Sequence, residues 1–274
     1  AVLWAVIWAF IGANSPAEHV YISEHERNKI ETSIVHMSSD NSKMKIPWIE
    51  IITSVPMWSV LLCHFCENWG FYTVLMLMPT YLSSAFEINI QNNGLLSSIP
   101  YIIMWGFNII MGRLADYILK RELLHLTTAR KMWTTIGMWG GALGFLGLTM
   151  TSSTTFSIVL LSLIMSLNTA VQYGYFTNHL DLGPNFASVL SGVTNTVSNS
   201  ASFISPLVAG HILKDEGDKE QWNAVFYICA IIFFVGNLIF MIFGTTDVQH
   251  WNDINVDLPE DDECGIPLTT VKVG

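Results

Sequence analysis

Residues 53–82 read TSVPMWSVLLCHFCENWGFYTVLMLMPTYL. A helix needs about 20 mostly apolar residues to cross a bilayer, and this run exceeds that length with one formal charge, Glu67. Five similar runs follow at residues 95–112, 132–150, 156–178, 186–213 and 222–244. One such run could be a buried helix of a large soluble protein. Six, joined by short polar connectors, exceed what any soluble core of this length requires. Residues 1–12 are apolar but too short to span. They lack the basic start and cleavage site of a secretory signal and read as the end of a spanning helix.

Composition agrees. Charged residues make up 12% of the 274-residue chain and hydrophobic ones 51%, whereas a soluble domain carries roughly 25% charged residues. This excludes an ordinary soluble protein, and the apolar content excludes a disordered one. The net charge of −10 reflects acids concentrated in residues 18–50 and 253–263, which read as solvated segments. Nucleic-acid binding would need basic clusters on a soluble surface, and none is present.

Lys and Arg, not net charge, set orientation. Arg27, Lys29, Lys43 and Lys45 lie in the connector 13–52. Arg113, Lys120, Arg121, Arg130 and Lys131 lie at 112–131, and Lys272 in the tail. Alternate connectors hold only Lys214 and Lys219. This asymmetry places 13–52 and the C-terminus in the cytoplasm.

Polar side chains inside a span are costly and normally face a cavity or another helix. His64, Glu67 and Asn68 fall at i, i+3 and i+4, one face of a helix, and Tyr72 extends that face. Glu67 is the carboxyl near the middle of a span and can bind a proton or pair with a cation. The alternative is a carboxyl satisfied by a neighbouring helix. Asn168 and Gln172 form a second pair. Ser191, Asn195, Ser198, Asn199 and Ser202 form a stripe in the fifth run. Its asparagines are expected to line a cavity and its serines to pack. Pro79, Pro100, Pro206 and the glycines of 139–147 predict kinked, closely packed helices. Cys63 and Cys66 make a C-x-x-C inside a span without a second pair, so metal binding is not expected. Phosphate-loop and zinc-hydrolase motifs are absent from the sequence, which leaves ATP-driven pumping and enzymatic activity without support.

The connector Gly112-Arg113-Leu114-Ala115-Asp116 with Lys120-Arg121 places a carboxylate at a helix end with cations beyond it. It resembles the loop signature G-x-x-x-D-x-x-x-[R/K]-[R/K] of the major facilitator superfamily. The chain further resembles the anion:cation symporter branch, which includes sialin, the vesicular glutamate transporters and the type I sodium–phosphate cotransporters. The likeness rests on His64-Phe65 with Asn68 to Tyr72, Pro79 to Leu82, Asn93 to Tyr101, Asn178-His179-Leu180-Asp181, Asn195-Thr196, Val225-Phe226-Tyr227 and Gln249 to Asn252. The wording around Glu67 is most similar to insect inorganic phosphate cotransporters.

The resemblance implies an all-α membrane protein, the C-terminal six-helix half of a twelve-helix transporter. Residues 1–12 would end helix six, 13–52 form a cytoplasmic linker, 53–244 a six-helix bundle and 245–274 an acidic cytoplasmic tail. The implied activity is symport of a small anion, inorganic phosphate or an organic acid, coupled to Na⁺ or H⁺ without a cofactor. The partners would be that substrate, the bilayer and an N-terminal half. Asn195 and Tyr72 match cavity positions. Candidate coupling or substrate residues are His64, Glu67, Asn68, Tyr72, Asn168, Gln172, Asn195 and Asn199. Candidate gating residues are Gly112, Arg113, Asp116 and Arg121. Vesicular glutamate transporters carry Arg where Glu67 stands, which disfavours glutamate as substrate. The family's Gly- and Pro-containing turn after Asn195-Thr196 reads Val197 to Ser202 here. The alternative reading is a truncated membrane partner that does not transport by itself. The sequence leaves open the plasma membrane or an organelle.

Overall fold

The computed structural model describes residues 2–13, 15–19, 21–35, 45–86 and 90–252, without the side chains of 31–35, 90–93 and 95. Lys43 and the acidic segment from residue 253 onward lie outside the described residues.

Two compact units divide the chain. The first carries α1 (Val2–Ile11), apolar and shorter than a membrane crossing, and α2 (Glu24–Val35), which is polar throughout. Residues 13–35 thus include a formed helix within the expected linker.

The second unit, from Pro47 to Asp253, begins with the short α3 (Trp48–Thr53) and then α4 (Val55–Phe86), the helix formed by the run first quoted. α5 (Ile90–Lys120), α6 (Leu126–Met150), α7 (Thr154–Asn168), α8 (Asn178–Leu182), α9 (Ala187–Ser198), α10 (Ala201–Ile212) and α11 (Lys219–Phe243) follow. All elements among the described residues are helical, as a bilayer demands of backbone polar groups that no water can satisfy. Four stretches are long and apolar enough to cross a membrane: Val55–Phe86, Leu96–Lys120, Thr154–Leu182 and Lys219–Phe243.

Two of the expected spans are interrupted. The run 156–178 leaves the α-helix after Asn168, passes through a 3-10 turn at Thr169–Tyr173 and a further turn, and resumes as α8. The run 186–213 breaks between Ser198 and Ala201, dividing the expected polar stripe into α9 and α10. That break needs neither Gly nor Pro. Ser200 and Ser202 hydroxyls donate to the carbonyls of Val197 and Asn199, the local side-chain competition that loosens a helix.

α6 and α11 pack along each other, with α7 against α6 and α4 against α11. The glycine row of α6 admits α7: Val171, Leu167, Ile164 and Leu160 stand against Gly137, Gly140, Gly144 and Gly147. On the other side Phe233 of α11 reaches Gly141 and also Gly70 of α4. Small residues of this kind let membrane helices approach, where packing rather than water exclusion drives association. Tyr81, Trp222 and Phe226 close one end, with ring centroids 5.0–6.1 Å apart. Met111, Ala115, Trp133 and Ala170 close the other. α5 turns most of its surface outward, only 11% of its apolar window being buried against the rest of the bundle.

After α11 the chain does not leave as a free tail. The Gln249 amide donates to Leu182 O at 2.8 Å, and the Asn185 amide to Asn252 Oδ1 at 3.0 Å. Thr127 and Thr246 hydroxyls meet at 2.6 Å, and Trp251 is buried against Gly183 and Phe186. Residues 245–252 therefore form a strap over the ends of α6 and α8, at the start of the stretch 245–274 that the sequence reads as an acidic tail. Its tryptophan supplies the apolar anchor.

Candidate functional site

All eight residues singled out as coupling or substrate candidates line one open cavity of about 570 Å³. The i, i+3, i+4 spacing works as the helix geometry dictates: His64, Glu67 and Asn68 of α4 share its wall with Tyr72. Asn168 ends α7 and Gln172 lies in the 3-10 turn, so the interrupted span presents both to the cavity. Asn195 and Asn199 face it from α9 and the break after it. Among the described residues no Lys or Arg lines the cavity.

Glu67 is 6% exposed. Its Oε1 accepts from Asn168 Nδ2 at 2.5 Å and its Oε2 from the Tyr175 hydroxyl at 3.1 Å. Each carboxylate oxygen thus has a neutral donor, and losing one would cost more than the roughly 1–3 kcal/mol of an uncharged buried group. His64 lies beside the pair, its ring 5.4 Å from Tyr175 and 5.6 Å from Phe176. His64 Nδ1 and Asn168 Oδ1 are buried without a partner among the described residues. Across the cavity, the Tyr72 hydroxyl donates to Asn199 Oδ1 at 2.9 Å, and Asn68 Nδ2 reaches the same oxygen at 3.5 Å. Asn195 spends its amide on Ser191 O, 2.8 Å away in its own helix, which leaves its Oδ1 for the cavity.

The gating candidates separate. Gly112 lies against the Tyr173 ring, whose hydroxyl donates to Asn108 Oδ1 at 3.2 Å. Arg113, Asp116 and Arg121 are exposed, and among the described residues no ion pair joins them. Arg121 lies 5.9 Å over the Tyr117 ring. The ion pair in this region joins two residues that sequence reasoning had given other roles. Arg130 Nε and Nη2 donate to Asp181 Oδ2 and Oδ1 at 2.8 and 3.2 Å, with both side chains 10% exposed. In the sequence Arg130 reads as one of the charges that set topology and Asp181 as part of a family motif. The missed signal is one base and one acid at adjoining ends of two successive spans. Tyr175 carried no sequence signal at all, because its role depends on the helix break.

Comparison with known proteins agrees with this architecture. The sequence profile of the Major Facilitator Superfamily matches residues 1–206. The chain belongs to the major facilitator superfamily. Vesicular glutamate transporter 3 of Danio rerio is 34% identical over 270 residues, 97% of this chain and 45% of that protein. Sialin of Homo sapiens is 33% identical over 255 residues, 91% of this chain and 50% of that protein. A provisionally named inorganic phosphate cotransporter of Drosophila melanogaster is 31% identical over 272 residues, 98% of this chain and 50% of that protein. The chain spans about half the length of the curated relatives it matches. As a member of the superfamily it is an all-α, multi-pass membrane protein, and its cavity lies among the spans.

Proposed function

We propose that the protein carrying this chain is a secondary active transporter of small anions, inorganic phosphate or organic acids, coupled to Na⁺ or H⁺ by alternating access. In this reading residues 53–244 are one six-helix half, preceded by the end of a sixth helix at 1–12 and a cytoplasmic linker at 13–52. Residues 245–274 are cytoplasmic. The other half would complete the cavity, as in folds whose substrate binds midway between two repeats. The outward apolar face of α5 supports a partner there or lipid.

One observation carries the reading: a buried carboxylate, Glu67, facing a polar cavity and held by two neutral donors rather than by a cation. Such a group can take up a proton or a cation and release it, because no fixed positive charge competes for it. It cannot attract an anion. The substrate's negative charge must therefore be met from the opposite half, while His64, Asn68, Tyr72, Asn168, Gln172, Asn195 and Asn199 hydrogen-bond its neutral groups. The names of the relatives, which include glutamate and phosphate transporters, support the anion class. Gly112, Arg113, Asp116 and Arg121 would make contacts in the alternate state, since the three charged groups have no ion pair among the described residues in this one.

The test is uptake of phosphate, sialate, glutamate and urate by the whole gene product in proteoliposomes, with Na⁺ and pH gradients imposed separately. One anion class should accumulate under one gradient. Uptake that ignores the collapse of both gradients overturns symport. Glu67→Gln should retain substrate exchange and lose gradient dependence, and wild-type coupling in that variant would reduce Glu67 to packing.

A further inference from the structure

The interrupted fourth span poses an accounting problem. Between Asn168 and Asn178 the backbone leaves the α-helix, and its freed polar groups need partners within the bundle. α6 supplies them. Arg130 Nη1 donates to Tyr173 O at 3.0 Å. The Thr134 hydroxyl oxygen accepts from the Tyr175 amide at 2.9 Å. The approach is close because residue 174 is glycine: a Cβ there would stand 2.7 Å from Thr134 N and 3.0 Å from Arg130 O. The same guanidinium holds Asp181 in α8 by its Nε and Nη2. Asp181 Oδ2 also accepts from Asn178 Nδ2 at 3.2 Å. Arg130 thus grips the chain on both sides of Tyr175, and Thr134 grips Tyr175 itself.

From this geometry we infer that Arg130, Thr134 and Asp181 are positioning residues for the cavity: they fix the unwound segment so that the Tyr175 hydroxyl seats on Glu67. The inference rests on the transporter reading for its functional consequence, but not for its structural content. His64, Phe176 and Phe240 pack around the Tyr175 ring, and the clamp sets the backbone from which that ring projects. Tyr175 follows Gly174, and its side chain is aimed by the backbone turn that these three residues clamp. Lysine at 130 keeps the charge but cannot offer a fork to Asp181 and a third donor to Tyr173 O together.

The test uses the whole gene product in lipid and has two readouts. The first is the infrared band of the Glu67 carboxyl, assigned as the band lost in Glu67→Gln. It should shift in Tyr175→Phe, and shift the same way in Arg130→Lys, Asp181→Asn and Thr134→Val. Thr134→Val removes one hydroxyl and preserves shape, so it serves where the charge variants do not fold. A band unchanged in the folded variants overturns the inference, whatever uptake shows. The second readout is gradient-driven uptake, expected to fall roughly tenfold or more while exchange at saturating substrate is kept, as displacements of order 1 Å do at organised sites. Equal loss of exchange and uptake would mark a purely structural role and also overturns it. If instead Glu67→Gln couples normally, the transporter reading of Glu67 fails, and the band alone decides the positioning role.

Discussion

The α6–α11 pair and the α7–α8 span lie against each other and obey different rules. α6 and α11 are continuous 25-residue helices. Their contact is made of glycine against ring, with Trp139 stacked on Phe234 at 5.3 Å and Phe145 edge-on to Phe233 at 5.5 Å. The span from Thr154 to Leu182 is less apolar than α11 and interrupted, and its break is held by an ion pair and hydroxyls. Dispersion between packed surfaces is non-directional and tolerates small slips. Charge-assisted hydrogen bonds fix single atoms in place. The bundle uses the first to be stable and the second to be accurate, and accuracy is concentrated where a side chain must meet Glu67.

That division can be broken by experiment. The largest effect should come from Phe233→Ala, which empties the slot between Gly70, Gly141 and Phe145. Thermal unfolding of the purified protein in lipid should show a loss of roughly 3 kcal/mol, the low end for such truncations, because the lipid reference is itself apolar. Its substrate affinity should change little. If affinity falls in step with stability, the framework and the cavity are not separate.

Next comes Gly144→Leu, which forces a side chain into Ile164 across the α6–α7 seam. Overpacking costs about 1–3 kcal/mol. Because α7 leads into the interrupted segment, this variant should also weaken substrate binding at the Asn168 end, measurable by equilibrium binding. A stability loss with unchanged binding would show that the break insulates the cavity from the seam.

Tyr72→Phe should have the smallest effect. It removes one hydrogen bond, to Asn199, and such interhelical bonds average about 0.6 kcal/mol in membranes. Thermal stability should fall by about that amount, and substrate affinity by no more than about threefold. An effect ten times larger would mean that the hydroxyl touches substrate directly.

The sequence carried the helical class and the cavity wall on α4 because both rest on local periodicity. A run of apolar residues longer than a bilayer has one solution, and i, i+3, i+4 spacing has one face. What it did not carry depends on tertiary partners. The break after Asn168 is invisible in a run as apolar as 156–178, since the side chains that bond it, Arg130 and Thr134, lie about forty residues away on α6. Asp181 and Arg130 each look like charges at a membrane edge until α6 and α8 are brought together. Trp251 looked like part of an acidic tail because nothing local distinguishes an anchoring tryptophan from an exposed one.

The strap at residues 245–252 bears on how the protein is made. It joins Thr127 near the start of α6, Asn178 and Leu182 of α8, and Asn185 just before α9. These bonds can form only after α11 has emerged from the ribosome and entered the membrane. This end of the bundle therefore stays unclasped throughout synthesis and is fastened last. A chain ending at residue 243 would possess every helix of the bundle and still lack the piece that locks them.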